Sequence, residues 1–212
     1  MEIKFYGQAC FSIEDKGVRV IMDPFSEEIG LKLPPLKADV VTVSQNMPTA
    51  NQVKSVMGEP RVFNWPGEYE TKGVHFRIIH SFGPEVKGEG MENNLTLIHF
   101  NGIKICHLGN QADKLTPEQL EQIGDVDVLC VPVGDKNGLG PKKAKSVIEQ
   151  IEPRLIIPMI YDTEGSNLEL SPLSAFLSEM GASTSEPVDV FKFKKSELPE
   201  DNTKVVVLNV SA

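Results

Sequence analysis

The chain has 212 residues, of which 40% are hydrophobic and 24% charged; that is an ordinary globular composition, long enough to bury a sizeable core. Its 30 acidic and 21 basic residues leave a net charge of -9, which repels phosphate backbones and argues against nucleic-acid binding. No apolar run reaches the roughly 18 residues of a membrane span, the opening "MEIKFYGQ" lacks the basic and then apolar regions of a signal peptide, and the cysteines, three in number, lie in apolar runs. Cys10, Cys106 and Cys130 therefore read as small buried hydrophobes in a reducing compartment, so no membrane association and a cytoplasmic location are expected.

In chain order, "MEIKFYGQACFSIED" predicts one strand, Asp15-Lys16-Gly17 a turn and "VRVIMDP" a second strand, together a hairpin. "FSEEIGLKLPPL" is a loop, because Pro34-Pro35 fits neither a helix interior nor a central strand. "ADVVTVS" is a nearly continuous β-branched run, as expected of a strand covered on both faces. "NQVKSVMG" predicts a helix ending at Gly58. "RVFNWPGEYETKG" and "VHFRIIHSF" predict two more strands, and "GPEVKGEGMENN" a long polar loop. In "LTLIHF-NG-IKICHL" the Asn101-Gly102 pair marks a hairpin. Thr116, Pro117 and Gln119 predict a helix start with a capping box. "VDVLCVPVG" and "RLIIPMIY" predict buried strands, "PKKAKSVIEQI" an amphipathic helix, Ser171-Pro172 the start of the helix "LSAFLSEMG", and "TKVVVLNV" a last strand.

Hairpins thus open each half and strand-helix units follow. This order predicts an α/β chain with two sheets face to face and helices outside both. It also predicts a single domain, 1–212, of two similar halves, about 1–93 and 94–212.

The segments "LKLPPLKADVVTVS", "PGEYETKGV", "CHLG", "IGDVDVLCVPVG" and "IEPRLIIPM" resemble, in combination, the metallo-β-lactamase fold superfamily. Within it they are most similar to the small metal-dependent hydrolases of the L-ascorbate-6-phosphate lactonase-like branch. The resemblance spans nearly the whole chain and implies an αββα four-layer sandwich of two mixed β-sheets, with a site at one sheet edge. There one or two zinc or manganese ions would lower the pKa of a bound water and polarise the substrate.

The resemblance also assigns ligand positions. Its His-x-His-x-Asp-His motif falls on Gln45, Met47, Thr49 and Ala50; its later positions fall on Gly83 and Pro84, on Asn110, and on Ile160. The "GHS" after the first strand is Gly7-Gln8-Ala9 here. Methionine, alanine, glycine and isoleucine offer nothing to a hard or borderline cation, and the carboxamides and hydroxyl offer only neutral oxygens. The expectation that follows is a metal-free, catalytically inactive member with no cofactor, acting as a binding or scaffold protein. Its pocket would be lined by Gln8, Asp23, Gln45, Met47, Thr49, Ala50, Gly83, Asn110, Ile160 and Tyr161. The alternative is a hydrolase of the superfamily with a non-standard or absent metal site. The expected partner is a small polar ligand or a protein, including a second copy or an active relative.

Other candidates weigh less. His107 reads as packed and hydrogen-bonded near the site. His75 and His80 lie five apart on one strand and face opposite ways, and His99 sits on a solvated face. Asp23 either orients groups at the site or forms a turn before Pro24. Asp113 reads as a loop carboxylate, and Ser44 lacks the Gly-x-Ser-x-Gly elbow. Neither "GPEVKGEG" nor "GDKNGLGP" is a phosphate loop. Trp65 is either a binding platform or a half-buried core residue.

Overall fold

A computed structural model describes residues 1–86, 89–182, 186–200 and 202–211. The first fifteen residues form two strands where one was predicted: β1 (Glu2–Gly7) and β2 (Cys10–Asp15) pair antiparallel. The chain reverses between them because Gly7 and Gln8 both take positive φ, 102° and 54°, a conformation that costs glycine nothing. Strand β3 (Val18–Met22) completes the meander; β4 (Leu36–Lys37) and β6 (Val56–Met57) form a two-stranded parallel ribbon; β5 (Val40–Thr42) and β7 (Arg61–Phe63) add to β3 in parallel. The helix predicted from "NQVKSVMG" is a 3-10 turn, Val53–Ser55, whose entry residue Gln52 makes no side-chain cap; β-branched Val56 then pairs with Leu36 in the ribbon.

Strands β8 (Gly67–Thr71), β9 (Val74–Val86), β10 (Glu89–Phe100) and β11 (Ile103–His107) run as an antiparallel meander. The segment predicted as a long polar loop is therefore mostly strand, with His80 opposite Asn94 and Phe82 opposite Glu92; residues 87–88 lie outside the described residues. Asn101 and Gly102 have φ of 50° and 76°, both positive, as the predicted two-residue hairpin turn requires. Helix α1 (Pro117–Ile123) follows, then β12 (Val128–Pro132), α2 (Pro141–Ile151), β13 (Leu155–Met159), α3 (Leu173–Met180), β14 (Phe191–Lys192) and β15 (Lys204–Val205).

One sheet has the order β14-β1-β2-β3-β5-β7 and the other β15-β13-β12-β11-β10-β9-β8. Each mixes antiparallel and parallel pairs, so the expected α/β fold with two mixed sheets stands. Phe63 of β7 meets Phe76 of β9 at 5.1 Å between ring centroids, and Phe11 of β2 meets His107 of β11 at 5.9 Å, which places the sheets face to face. The period of two along the strands sorts the first sheet's side chains. Ile3, Phe5, Phe11, Ile13, Val20, Met22 and Val40 join the large core, while Tyr6, Cys10, Ile21 and Val41 join a second cluster with Phe25, Ile29 and Leu31. That outer layer is loop, a 3-10 turn at Glu27–Ile29 and the β4–β6 ribbon, with no α-helix: among the described residues all three α-helices lie between residues 117 and 180, in contrast to the strand-helix units expected in both halves. In α2 the buried positions Ala144, Val147, Ile148 and Ile151 keep the i, i+3, i+4, i+7 spacing of a core-facing stripe.

Candidate functional site

The geometry begins where β3 and β5 end. They pair in parallel with Met22 opposite Thr42, so Asp23, one residue past β3, and Ser44, two residues past β5, meet across the sheet end. The Ser44 backbone N–H donates to Asp23 Oδ1 at 2.7 Å and its hydroxyl to Oδ2 at 2.5 Å. Asp23 is 1% exposed. Burial raises its carboxyl above the ordinary value, against the lowering effects of His107 and of the two Ser44 bonds. His107 Nδ1 lies 4.0 Å from Asp23 Oδ2 and accepts from the Gly109 N–H at 3.1 Å; Nε2 faces Ala9 O at 2.9 Å. With Nδ1 accepting, the proton sits on Nε2 and donates to Ala9. Both ring nitrogens are thus engaged in the protein's own bonds.

Three predicted positions meet beside this cluster. A Cβ on Gly83 would collide with Gln45 Nε2 and lie 3.0 Å from Asn110 O, so Gln45, Gly83 and Asn110 are neighbours. Asn110 donates from its backbone to Asn93 Oδ1 at 3.0 Å and from Nδ2 to Asp135 Oδ2 at 3.2 Å. Its Oδ1 is buried with no hydrogen-bond partner among the described residues. Gln8 and Ile160 are joined by the Ile160 N–H to Gln8 O bond of 2.8 Å. Tyr161 packs 5.9 Å from Phe5, and burial pushes its hydroxyl up to about 12. Met47, Thr49 and Ala50 form a turn in which the Ala50 and Asn51 N–H groups donate to Met47 O, each at 2.9 Å. That turn is tied to the loop after Asp23 by the bonds Ser26 N–H to Pro48 O and Gln52 N–H to Pro24 O.

Backbone strain collects at the same edge. Among the described residues, eight non-glycine residues have positive φ, and three of them are Gln8 (54°), Asp23 (46°) and Ile160 (52°). The other five lie in turns, a loop and a helix end. For a β-branched residue such as Ile160 this is an outlier, costing on the order of 1–3 kcal/mol.

Outside the cluster the edge opens into a cleft of about 670 Å³. It is lined by Asn46, Asn51, Asn64, Asn94, Trp65, His80 and Glu92, together with Val43, Ser44, Pro66 and the buried Gln45. Sequence reasoning missed this grouping. His80 and Glu92 pair side chain to side chain, but they are brought together by the β9–β10 register, which a segment read as loop did not supply. His75, exposed, lies on the opposite face of β9 beside His99, with ring centroids 6.2 Å apart. Asp113 is paired at 3.7 Å with Lys143. Cys10, Cys106 and Cys130 are fully buried; burial raises all three thiols, Cys106 to about 12.

The donor chemistry at this edge does not fit a divalent metal. The positions assigned to ligands contribute carboxamides, a hydroxyl and apolar groups, and both oxygens of Asp23 are taken by Ser44. Among the described residues no group of three or more His, Cys, Asp or Glu side chains is placed to hold a metal ion.

A family model for the β-lactamase superfamily domain matches residues 2–160. A Thermotoga maritima protein named for zinc-dependent hydrolysis in the metallo-β-lactamase superfamily is 34% identical, with a TM-score of 0.79 and 98% of each chain covered. A UPF0173 metal-dependent hydrolase of Methanoculleus marisnigri is 28% identical over 77% of this chain and 82% of its own length. One from Thermococcus onnurineus is 23% identical over 94% of this chain and 99% of its own. These names overturn two expectations: that the chain is a metal-free, inactive binding or scaffold protein, and that it has no cofactor. Both rested on side-chain identity at positions assigned by resemblance. That identity says what those positions cannot ligate; it does not say that the protein lacks activity or a metal.

Proposed function

Because the chain belongs to the metallo-β-lactamase superfamily, we propose that it is a hydrolase acting at this sheet edge, with a site that departs from the His-x-His-x-Asp-His ligand set. The lactonase-like branch suggested by "CHLG" and "IEPRLIIPM" is part of this reading, as are the substituted ligand positions and a single domain of two similar halves. One observation carries it. Gln8, Asp23 and Ile160 are all held in the left-handed region at one sheet edge, and Asp23 there is hydrogen-bonded to Ser44, which lines the cleft. Left-handed backbone on non-glycine residues costs stability, and it clusters where a fold positions functional groups.

The chain's own residues define what the site can do. The buried Asp23–Ser44 bonds and the His107 bonds to Ala9 and Gly109 fix the loop ends. The carboxamides hold polar groups by donating and accepting. His80 and Glu92, paired side chain to side chain, are the ionisable groups that line the cleft among the described residues. No step is routed through a metal.

The test is turnover by the purified chain of a carboxylic ester, a lactone, a phosphodiester and a phosphomonoester, each with and without added zinc or manganese. Hydrolysis of at least one above the buffer blank is expected, and Asn46→Phe, which fills the cleft from an exposed position, should abolish it while leaving the circular dichroism unchanged. Failure to turn over any of the four bond types under either condition would refute the proposal.

A further inference from the structure

One face of the β9–β10 ribbon changes role along its length. Phe76 and Ile78 of β9 and Ile98 of β10 point from it into the core. Two residues on, past the edge of the sandwich, the same face of β9 presents His80 and Phe82, and that of β10 presents Asn94 and Glu92. His80, Asn94 and Glu92 form one wall of the cleft; Trp65, Asn64 and the turn at Asn46 and Asn51 form the rest. Trp65 is 75% exposed, the most exposed large apolar side chain among the described residues, while its backbone is fixed by a 2.9 Å bond from the Tyr69 hydroxyl to Trp65 O. An indole ring left in water on a tethered backbone is a preformed contact face.

We propose that this cleft binds a neutral, hydroxyl-rich molecule of carbohydrate type, which stacks on Trp65 and is held by the carboxamides. The inference deepens the hydrolase reading, on which it rests only in taking this cleft as the substrate's. Each carboxamide carries an acceptor oxygen and two donor N–H groups, the complement of hydroxyls, which donate and accept. Asn94 spends its donors on the carbonyls of Val43 (3.3 Å) and Asn64 (3.1 Å), which leaves its Oδ1 for a ligand hydroxyl. Asn51 donates to Asn46 Oδ1 at 2.6 Å, which leaves the Asn46 amide N–H groups as donors.

The same walls disfavour other ligand classes. No lysine or arginine lines the cleft among the described residues, and a chain of net charge -9 repels anions. A cation would find one aromatic face, not a cage, and a Glu92 carboxylate already paired with His80. The negative face of the indole suits the C–H face of a sugar ring.

Trp65 is the only tryptophan, so its emission reports on this cleft alone. The experiment titrates the full chain with methyl β-D-glucopyranoside and with sucrose, and in parallel with glucose 6-phosphate and choline, following tryptophan emission and heat. A saturable emission change with a neutral sugar is expected, with half-saturation on the order of 1–10 mM or below, as for a few polar contacts and one stacked ring. The double variant Asn46→Ala/Asn51→Ala should weaken it about tenfold. Trp65→Phe should weaken the calorimetric binding comparably, so the conclusion survives a poorly folding double variant. No saturable response to either neutral sugar, tighter binding of glucose 6-phosphate or choline, or heat of binding without any change in emission would overturn the inference. Sugar binding without turnover would leave it standing and remove the hydrolase reading; turnover of a bond by a protein whose Trp65 ignores sugars would do the reverse.

Discussion

Replacing Asp23 by alanine removes the acceptor of two buried hydrogen bonds at once. Ser44 donates to it from both backbone and hydroxyl, and Ser44 is itself only 3% exposed, so water does not readily substitute. Leaving a buried donor unpaired costs about 1–3 kcal/mol, so the two together should cost about 3 kcal/mol. For a domain of this size each kcal/mol moves Tm by about 2–4 °C, which gives a fall of about 6–12 °C. Asp23→Asn keeps an acceptor for the backbone N–H, and the Ser44 hydroxyl can rotate to accept from the new amide, so its loss should be about 1 kcal/mol or less. The two variants also differ in pH dependence. Burial holds the Asp23 carboxyl above its ordinary 3.8, so between that value and the raised one the folded state binds more protons than the unfolded. Stability therefore falls as pH rises through that window, and the contribution is complete below 3.8. Asp23→Asn should remove this part of the slope. Calorimetric melts of the three proteins across the acid range test the whole chain of reasoning. It is refuted if alanine melts within about 1 °C of wild type, or if asparagine costs as much as alanine.

Two further outcomes follow from the geometry. Gly83→Ala puts a methyl against Gln45 Nε2 and the Asn110 carbonyl and should cost about 1–3 kcal/mol. In a Gln45→Ala background the cost should shrink by about 0.5 kcal/mol or more; additive denaturation midpoints would mean that Gln45 does not sit on Gly83. Glu152, at the end of α2, has φ and ψ of 52° and 52°, so Glu152→Gly should stabilise by about 0.5–1 kcal/mol. A lower Tm would contradict the left-handed end.

Local chemistry was readable in the sequence where it depends on near neighbours. Asn101-Gly102 makes its hairpin, and Thr116 makes its capping box, with the Gln119 N–H to Thr116 Oγ1 bond at 3.2 Å returned by the Thr116 N–H to Gln119 Oε1 bond at 3.0 Å. The strand character of "MEIKFYGQACFSIED" was visible too, but not the reversal at Gly7-Gln8, because a positive φ leaves no mark on the hydrophobic pattern. The misread helix at "NQVKSVMG" failed for a tertiary reason: Val56 gains a strand partner in Leu36, twenty residues earlier in the chain. At the site, Asp23 and Ser44 were both noticed but not joined, since their contact comes from parallel pairing of β3 and β5. Gln119 shows how such links hide. Besides closing the capping box, its Nε2 donates to His80 O at 3.1 Å and to Ser81 Oγ at 3.0 Å, which fastens α1 to the strand that carries the cleft wall.

That strand has a consequence for motion. Because Phe76, Ile78, His80 and Phe82 alternate along one unbroken β9, the cleft wall has no hinge of its own; it is the protruding end of a beam whose root is the core. Its slow breathing must then proceed by fraying from the tip inward, releasing Phe82 and Glu92 before His80 and Asn94, and Ile78 last. Amide exchange along β9 should form a gradient rather than a step, so that tightening the hydrophobic core and damping the cleft become one and the same act.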